Sequence, residues 1–258
     1  MLNVLSSRLH NTRTGHGPRA MLLFHGYGQD HRVFDNYQDE AYTFYSIDLF
    51  FHGESKWTKG ELPLEKNEWK ELIGDFLSRN NIQSFSVLGF SMGGKFALAT
   101  LEAFPHRVID IILLAPDGIK TSFWYSLATY PVALRTIFKS LIGNHKRFHR
   151  IASLSKKLGL IDKGVLRFVE TQMDSEAKRR RVYYSWVVFR HLKFDLDKVA
   201  QLINQHKIKL LLLVGRHDKI ITADNMRPFI SRIPNSQFEI LEAGHNNLIS
   251  KAIPVIFR

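Results

Sequence analysis

Residues 89–93 read Gly89-Phe90-Ser91-Met92-Gly93, a Gly-x-Ser-x-Gly pentad between the apolar run Ser84–Leu88 and the helix-prone stretch Lys95–Glu102. A serine becomes a nucleophile when a sharp strand-to-helix turn presents its hydroxyl and a neighbouring base takes the proton. The small residues on both sides of Ser91 let such a turn close, and a helix start beyond it supplies amide donors for developing negative charge. Gly-x-Ser-x-Gly also occurs in plain glycine-rich connections, so the pentad draws its meaning from the strand before it and the helix after it. Ser91 is the expected nucleophile.

A nucleophilic serine needs a base, and the base needs a group to orient it. The apolar run Lys209–Val214 is followed by Gly215-Arg216-His217-Asp218-Lys219-Ile220, and the run Gln237–Leu241 by Glu242-Ala243-Gly244-His245. Both turns fall just past the end of a strand, on the edge where open parallel sheets collect their chemistry. His245 is the expected general base, and Asp218 the carboxylate that fixes its tautomer and stabilises the imidazolium. Asp117, beyond the strand near 108–114, is the alternative acid; the Gly-x-x-Asp-x-Ile turn favours Asp218. His217 reads as a surface neighbour. His25-Gly26-Tyr27-Gly28 follows the short apolar strand Ala20–Phe24, and its glycines let backbone approach a bound carbonyl closely. The Tyr27 and Met92 amides are the expected oxyanion donors.

Four motifs in this order, His25–Gly28, Asp48-Leu49-Phe50-Phe51-His52-Gly53-Glu54-Ser55, Gly89–Gly94 and the Asp218 and His245 turns, make the chain resemble the α/β-hydrolase superfamily. The resemblance extends over roughly residues 20–118 and 207–250. It implies a mostly parallel, doubly wound sheet with a helical lid inserted after the strand that ends near 114. It also implies a lidded, esterase-like serine hydrolase, with Ser91, His245 and Asp218 as triad and Tyr27 and Met92 as oxyanion hole, cleaving a carboxylic ester or thioester without a cofactor. The same triad on this fold also serves lyases, C–C bond hydrolases, cofactor-free haloperoxidases and acyltransferases, and a non-catalytic receptor for a small ligand is the alternative of another class. The second motif departs from the family pattern, which usually has glycine where Phe51 stands. Asp48 and His52 are read as loop-fixing residues.

The elements that position these groups follow from alternating apolar runs and helical stretches. Strands are expected near 20–25, 43–48, 84–89, 108–114, 207–214 and 236–241, and helices near 31–38, 64–80, 91–104, 222–232 and 246–256. Residues 119–205 break the alternation and read as helical throughout, so the core is expected at 1–118 and 207–258 and the lid at 119–206. A lid there would wall the pocket over Ser91.

Charge is divided unevenly between these parts. Residues 119–205 hold 17 Lys and Arg against 6 Asp and Glu, a net of +11, while the whole chain is +12, leaving +1 elsewhere. The clusters Lys146-Arg147-Phe148-His149-Arg150 and Lys178-Arg179-Arg180-Arg181 interleave with aromatics such as Phe123, Trp124 and Tyr125. The plainest account is a solvated outer face of helices. The functional account is a basic lid drawing in an anionic acyl substrate or the face of an anionic membrane. No nucleic-acid module is recognisable, so no such partner is expected.

The chain of 258 residues is 45% hydrophobic and can bury a substantial core. It has no cysteine, which excludes disulfides, thiolate catalysis and Cys-based metal sites. The 12 histidines show no metal-ligand spacing, and no phosphate loop or dinucleotide fingerprint occurs, so neither metal nor nucleotide cofactor is expected. No apolar run approaches the ~20 residues of a membrane span, and the N-terminus lacks a secretory pattern. Arg8, Arg13 and Arg19, with no acid before Asp30, have the composition of an organellar leader; the preferred reading is a leading strand at the sheet edge and a cytoplasmic protein.

Overall fold

The parallel strands of this chain are built from short apolar runs that bury both faces: Met21–Phe24, Phe85–Phe90, Ile111–Leu114 and Leu212–Gly215. A computed structural model describes residues 7–120, 126, 129–140, 142 and 173–258. The strands are β1 (Asn11–Thr14), β2 (Arg19–Phe24), β3 (Tyr42–Ile47), β4 (Phe85–Phe90), β5 (Val108–Leu114), β6 (Lys209–Gly215) and β7 (Ser236–Leu241). The helices are α1 (Lys66–Arg79), α2 (Gly93–Ala103), α3 (Val132–Ser140), α4 (Glu176–Val188), α5 (Leu196–Gln205), α6 (Ala223–Ile230) and α7 (Leu248–Ile256). The strands form one sheet in the order β1-β3-β2-β4-β5-β6-β7, with β1 antiparallel to β3 and every other pair parallel.

Register decides where chemistry can gather. Phe24 lies opposite Gly89, Phe90 opposite Leu114, Leu114 opposite Leu213 and Gly215 opposite Leu241. The carboxyl ends of β2, β4, β5, β6 and β7 therefore share one edge, and the loops after them carry Tyr27, Ser91, Asp117, Asp218 and His245.

Alternation along the strands feeds two packed faces. On one, Phe24 meets Trp69 of α1 edge-on at 5.6 Å between ring centroids, and Trp69 meets Phe96 of α2 at 4.9 Å. Such pairs contribute about 0.5–1.5 kcal/mol each beyond their burial. The buried indole N–H is satisfied: it donates to Thr100 Oγ1 (3.0 Å), whose hydroxyl donates to the Phe96 carbonyl (2.7 Å). On the other face Met21, Leu23, Leu88, Phe90, Ile112 and Leu114 pack with Leu248, Ile249 and Ala252 of α7, and with Phe34, Tyr37 and Phe44. The Tyr37 hydroxyl donates to the Ile249 carbonyl (3.2 Å).

Strand β1 is the leading edge strand expected for the arginine-bearing N-terminal segment. The helix expected over 31–38 is instead a single 3₁₀ turn, His31–Phe34, capped by Asp30, whose carboxylate accepts from the Arg32 amide. Its first residue is tied elsewhere, since the His31 amide donates to Asp48 (2.8 Å), and the next residues turn Phe34 and Tyr37 into the core.

Residues 7–59, 64–120 and 192–258 form one compact unit, which contains the sheet and also α5, a helix that sequence alone assigned to the lid. Within this unit Gly118 lies against Phe194, close enough that a Cβ at Gly118 would stand 3.3 Å from that ring. A second unit comprises 60–63 and 121–191. In it the Tyr183 hydroxyl donates to Glu61 (2.9 Å), and Lys139 pairs with the same carboxylate. The cluster Lys146–Arg150 and the aromatics Phe123, Trp124 and Tyr125 lie outside the described residues. In the run Lys178–Arg181, Arg179 is buried and donates to the Ile142 and Met173 carbonyls (2.8 and 3.1 Å). Lys178 pairs with Asp174 and Arg180 with Glu176, one helical turn away, while neither Arg179 nor Arg181 has an acidic partner among the described residues. No helix among the described residues is long and apolar enough to cross a membrane.

Candidate active site

The turn between β4 and α2 puts Ser91 at φ +50°, the left-handed region that costs a residue with a Cβ roughly 1–2 kcal/mol. Three backbone hydrogen bonds hold it there. The Ser91 amide donates to the Leu114 carbonyl (2.9 Å), and the Ser91 carbonyl accepts from the Gly94 and Asp117 amides (both 2.8 Å). Gly93 is required by close approach, because a Cβ there would fall 2.0 Å from the Phe24 carbonyl oxygen. With α2 seated against the end of β2, the Met92 amide lies at the helix start, outside the intrahelical ladder.

Asp218 and His245 arrive from neighbouring strands whose ladder continues past their ends. The Arg216 amide donates to Leu241 (2.8 Å) and the His217 amide to Ala243 (3.0 Å). The Asp218 side chain is fully buried; one oxygen accepts from the Ile220 and Ile221 amides (2.8 and 2.9 Å) and the other lies 2.6 Å from His245 Nδ1. Burial would raise its pKa, but the His245 imidazole and the two amides outweigh burial and hold the carboxyl below its ordinary value. An ionised Asp218 requires the proton on Nδ1, which leaves the Nε2 lone pair facing Ser91 Oγ at 3.0 Å. The ring is set from outside as well: Phe90 packs on it at 5.0 Å between centroids, and Asn247 Oδ1 accepts from the Gly244 amide (2.8 Å) to hold the loop.

Asp117 takes a different place. Its amide braces the Ser91 carbonyl, while its carboxylate pairs with the buried Lys95 of α2 (3.0 Å) and accepts from the Gly118 amide (2.7 Å). His217 is exposed and faces Glu242 (3.2 Å).

The Tyr27 loop is shaped by Gln29, whose side-chain oxygen accepts from the Gly26 amide (3.0 Å). Gly26 also lies against Phe90, whose ring would be 2.9 Å from a Cβ there. Below it His25 is wholly buried. Its Nδ1 donates to the Gly26 carbonyl (2.7 Å) and its Nε2 accepts from the Leu49 amide (3.0 Å), which fixes a neutral tautomer. Burial lowers its pKa from 6.5 to about 4. His52 is buried too, with Nδ1 donating to the Phe50 carbonyl (3.0 Å) and its ring edge-on to Tyr27 at 5.3 Å.

Asp48 fixes the second loop. Burial would raise its pKa, but the Glu54 and His31 amides and the His10 and His31 imidazoles outweigh burial and keep it below the ordinary value. Gly53, at φ +51°, leaves room for that carboxylate, since a Cβ would lie 2.0 Å from Asp48 Oδ2. Phe51 adopts φ +69° although it is not glycine, so this loop carries a residue with a Cβ in the left-handed region.

Lys95, Gln29, Phe90 and Asn247 were not singled out from sequence. The available signal was Lys95, a charge in the first turn of a helix whose next four residues, Phe96–Ala99, are apolar.

The comparisons with known proteins agree with this architecture. The profile of the alpha/beta hydrolase fold family matches residues 19–252, and the chain belongs to that family. A protein of Mycoplasma genitalium named as an esterase/lipase is 28% identical over 133 residues, 50% of this chain and 48% of that protein. The chain thus spans about half the length of that relative. Among solved structures, a thermophilic esterase from Thermogutta terrifontis superposes with a TM-score of 0.68 at 20% identity, over 96% of this chain and 91% of that one. The thioesterase domain of the curacin biosynthetic pathway gives 0.64 at 14% identity, over 96% and 94%. These structures share the fold.

Proposed function

We propose that the protein is a serine hydrolase that cleaves a carboxylic ester or thioester through an acyl-enzyme on Ser91. The observation that carries this reading is the His245 imidazole, 3.0 Å from Ser91 Oγ and 2.6 Å from Asp218 Oδ2. His245 Nε2 takes the hydroxyl proton as Oγ attacks the acyl carbon, and Asp218 stabilises the imidazolium. The Tyr27 and Met92 amides hold the oxyanion, each such donor contributing about 3 kcal/mol to the transition state. The imidazolium then protonates the leaving alcohol or thiol. In the second half-reaction His245 draws a proton from water, which attacks the acyl carbon and frees Ser91.

The excess of positive charge on 119–205 supports an anionic acyl substrate or an anionic membrane face as what this enzyme meets. The test is a chain-length series of p-nitrophenyl esters and acyl-CoA thioesters beside a fluorophosphonate label. Wild type should turn over at least one series and take up the label, and Ser91→Ala should lose roughly 10⁴-fold or more in kcat and all labelling. Labelling that survives in Ser91→Ala, or a folded wild type that neither labels nor turns over any ester, overturns the reading.

A further inference from the structure

Asp48 is wholly buried, yet among the described residues no lysine or arginine lies within ion-pair distance of it. Two imidazoles face it instead. His10 Nδ1 is 2.8 Å from Oδ2, and His31 Nδ1 is 3.0 Å from Oδ1 and 3.1 Å from Oδ2. The rings are inclined at 59° with centroids 5.2 Å apart, so they converge on the carboxylate without stacking on each other. One ligand atom from each of the three residues falls within 4.8 Å of the others. An ion bound at ~2.1 Å keeps neighbouring ligand atoms ~3.0–3.4 Å apart, close to the 2.8–3.1 Å already present between each imidazole and the carboxylate.

The site is held together by bonds that do not use the two imidazoles. The Asp48 amide donates to the His10 carbonyl (3.0 Å), and the His10 amide donates to Ser55 Oγ (2.8 Å), whose hydroxyl in turn donates to the Asp48 carbonyl (2.6 Å). The His31 and Glu54 amides hold the two Asp48 oxygens at 2.8 and 2.9 Å. A cation would replace the imidazole protons and leave every one of these bonds in place. Access comes from the imidazole side, where His10 and His31 are 28% and 16% exposed. Glu54 Oε2 stands 3.8 Å from His10 Nε2, on the side of the ring that faces away from the ion, where a small side-chain movement would let it accept the Nε2–H hydrogen bond.

We propose that His10, His31 and Asp48 form a binding site for one divalent transition-metal cation, zinc or a first-row neighbour, distinct from Ser91, His245 and Asp218. Two imidazole nitrogens with one carboxylate oxygen suit zinc, cobalt or nickel better than calcium or magnesium. The ion would tie the segment before β1 and the turn after the Tyr27 loop to the loop after β3.

The test uses full-length, tag-free protein stripped with EDTA and titrated with Zn²⁺ by calorimetry and with Co²⁺ by visible absorption. Expected are one equivalent bound, a cobalt spectrum of mixed nitrogen and oxygen ligation, a rise in the urea midpoint with bound metal, and a fall in affinity of about 100-fold or more in His10→Gln and in His31→Gln. The cobalt spectrum and the shift of imidazole proton resonances on wild type serve if a variant does not fold. Absence of saturable binding to wild type, or undiminished affinity in both folded variants, overturns the proposal.

Discussion

Acidification should unfold this protein partly through His25. The residue is fully buried, with Nδ1 donating to Gly26 and Nε2 accepting from Leu49, and burial takes its pKa from 6.5 to about 4. Asp48 and Asp30 pull the other way and do not overcome burial. Because the folded value lies below the unfolded one, the unfolded chain binds more protons between them, and stability falls as pH drops from about 6.5 toward 4. Linkage with these two values gives a loss of about 2 kcal/mol near pH 5 and about 3 near pH 4, relative to neutral pH. His25→Gln removes the titration and costs about 2 kcal/mol at neutral pH through the two buried hydrogen bonds it disturbs. The gap between wild type and variant should therefore nearly close near pH 5. Urea melts of both proteins in EDTA across this range measure the gap directly, and other titrating groups cancel in the difference. A gap that stays constant with pH refutes the assignment of a neutral, buried His25.

Three further outcomes follow from the geometry. Asp218→Asn should lower kcat by about 10⁴ with the fold intact, whereas Asp117→Asn should leave kcat within about tenfold but cost about 1–3 kcal/mol of stability by removing the charge that pairs with buried Lys95; steady-state kinetics and denaturation of both variants decide, and the reverse pattern means the acid is Asp117. At Phe51 the usual order of helpful residues should invert: Phe51→Gly should be more stable than Phe51→Ala by about 1 kcal/mol or more, since alanine keeps the left-handed strain and loses the ring; an alanine variant as stable as the glycine one shows the strain is absent. Replacing Arg180 and Arg181 with glutamine should raise KM for an anionic thioester at low salt, with the difference vanishing at high salt where screening reaches about 3 Å, and leave a neutral short-chain ester unchanged; salt-independent kinetics for both substrates would reduce the basic surface to a solvated face.

What the sequence disclosed tracks the range of the interactions involved. Strands such as Met21–Phe24 and Ile111–Leu114 are contiguous apolar runs, and each expected site residue follows such a run directly, so both could be read locally. The helix expected over 31–38 is replaced by one 3₁₀ turn whose start is bonded to Asp48, 17 positions further on, and which seats Phe34 and Tyr37 in a core formed by distant strands. Arg179 reads from sequence as one of four solvated cations; in the structure it is buried and donates to the carbonyls of Ile142 and Met173. Residues 10, 31 and 48 share no short spacing, so no ligand pattern was visible until β3 and its loop brought them together. Leu196–Gln205 groups with the sheet although no change of composition marks residue 192 as the place where the chain returns to it.

The contact between Gly118 and Phe194 means that the chain departs from the sheet unit and re-enters it at almost one point. From the sheet's side, everything between is a single long loop, and the entropy of closing a loop grows only with the logarithm of its length. Such a segment is modular: it can be lengthened, shortened or replaced over generations while the strands that carry Ser91, Asp218 and His245 keep their register. Changes in that segment can therefore accumulate without first renegotiating the fold.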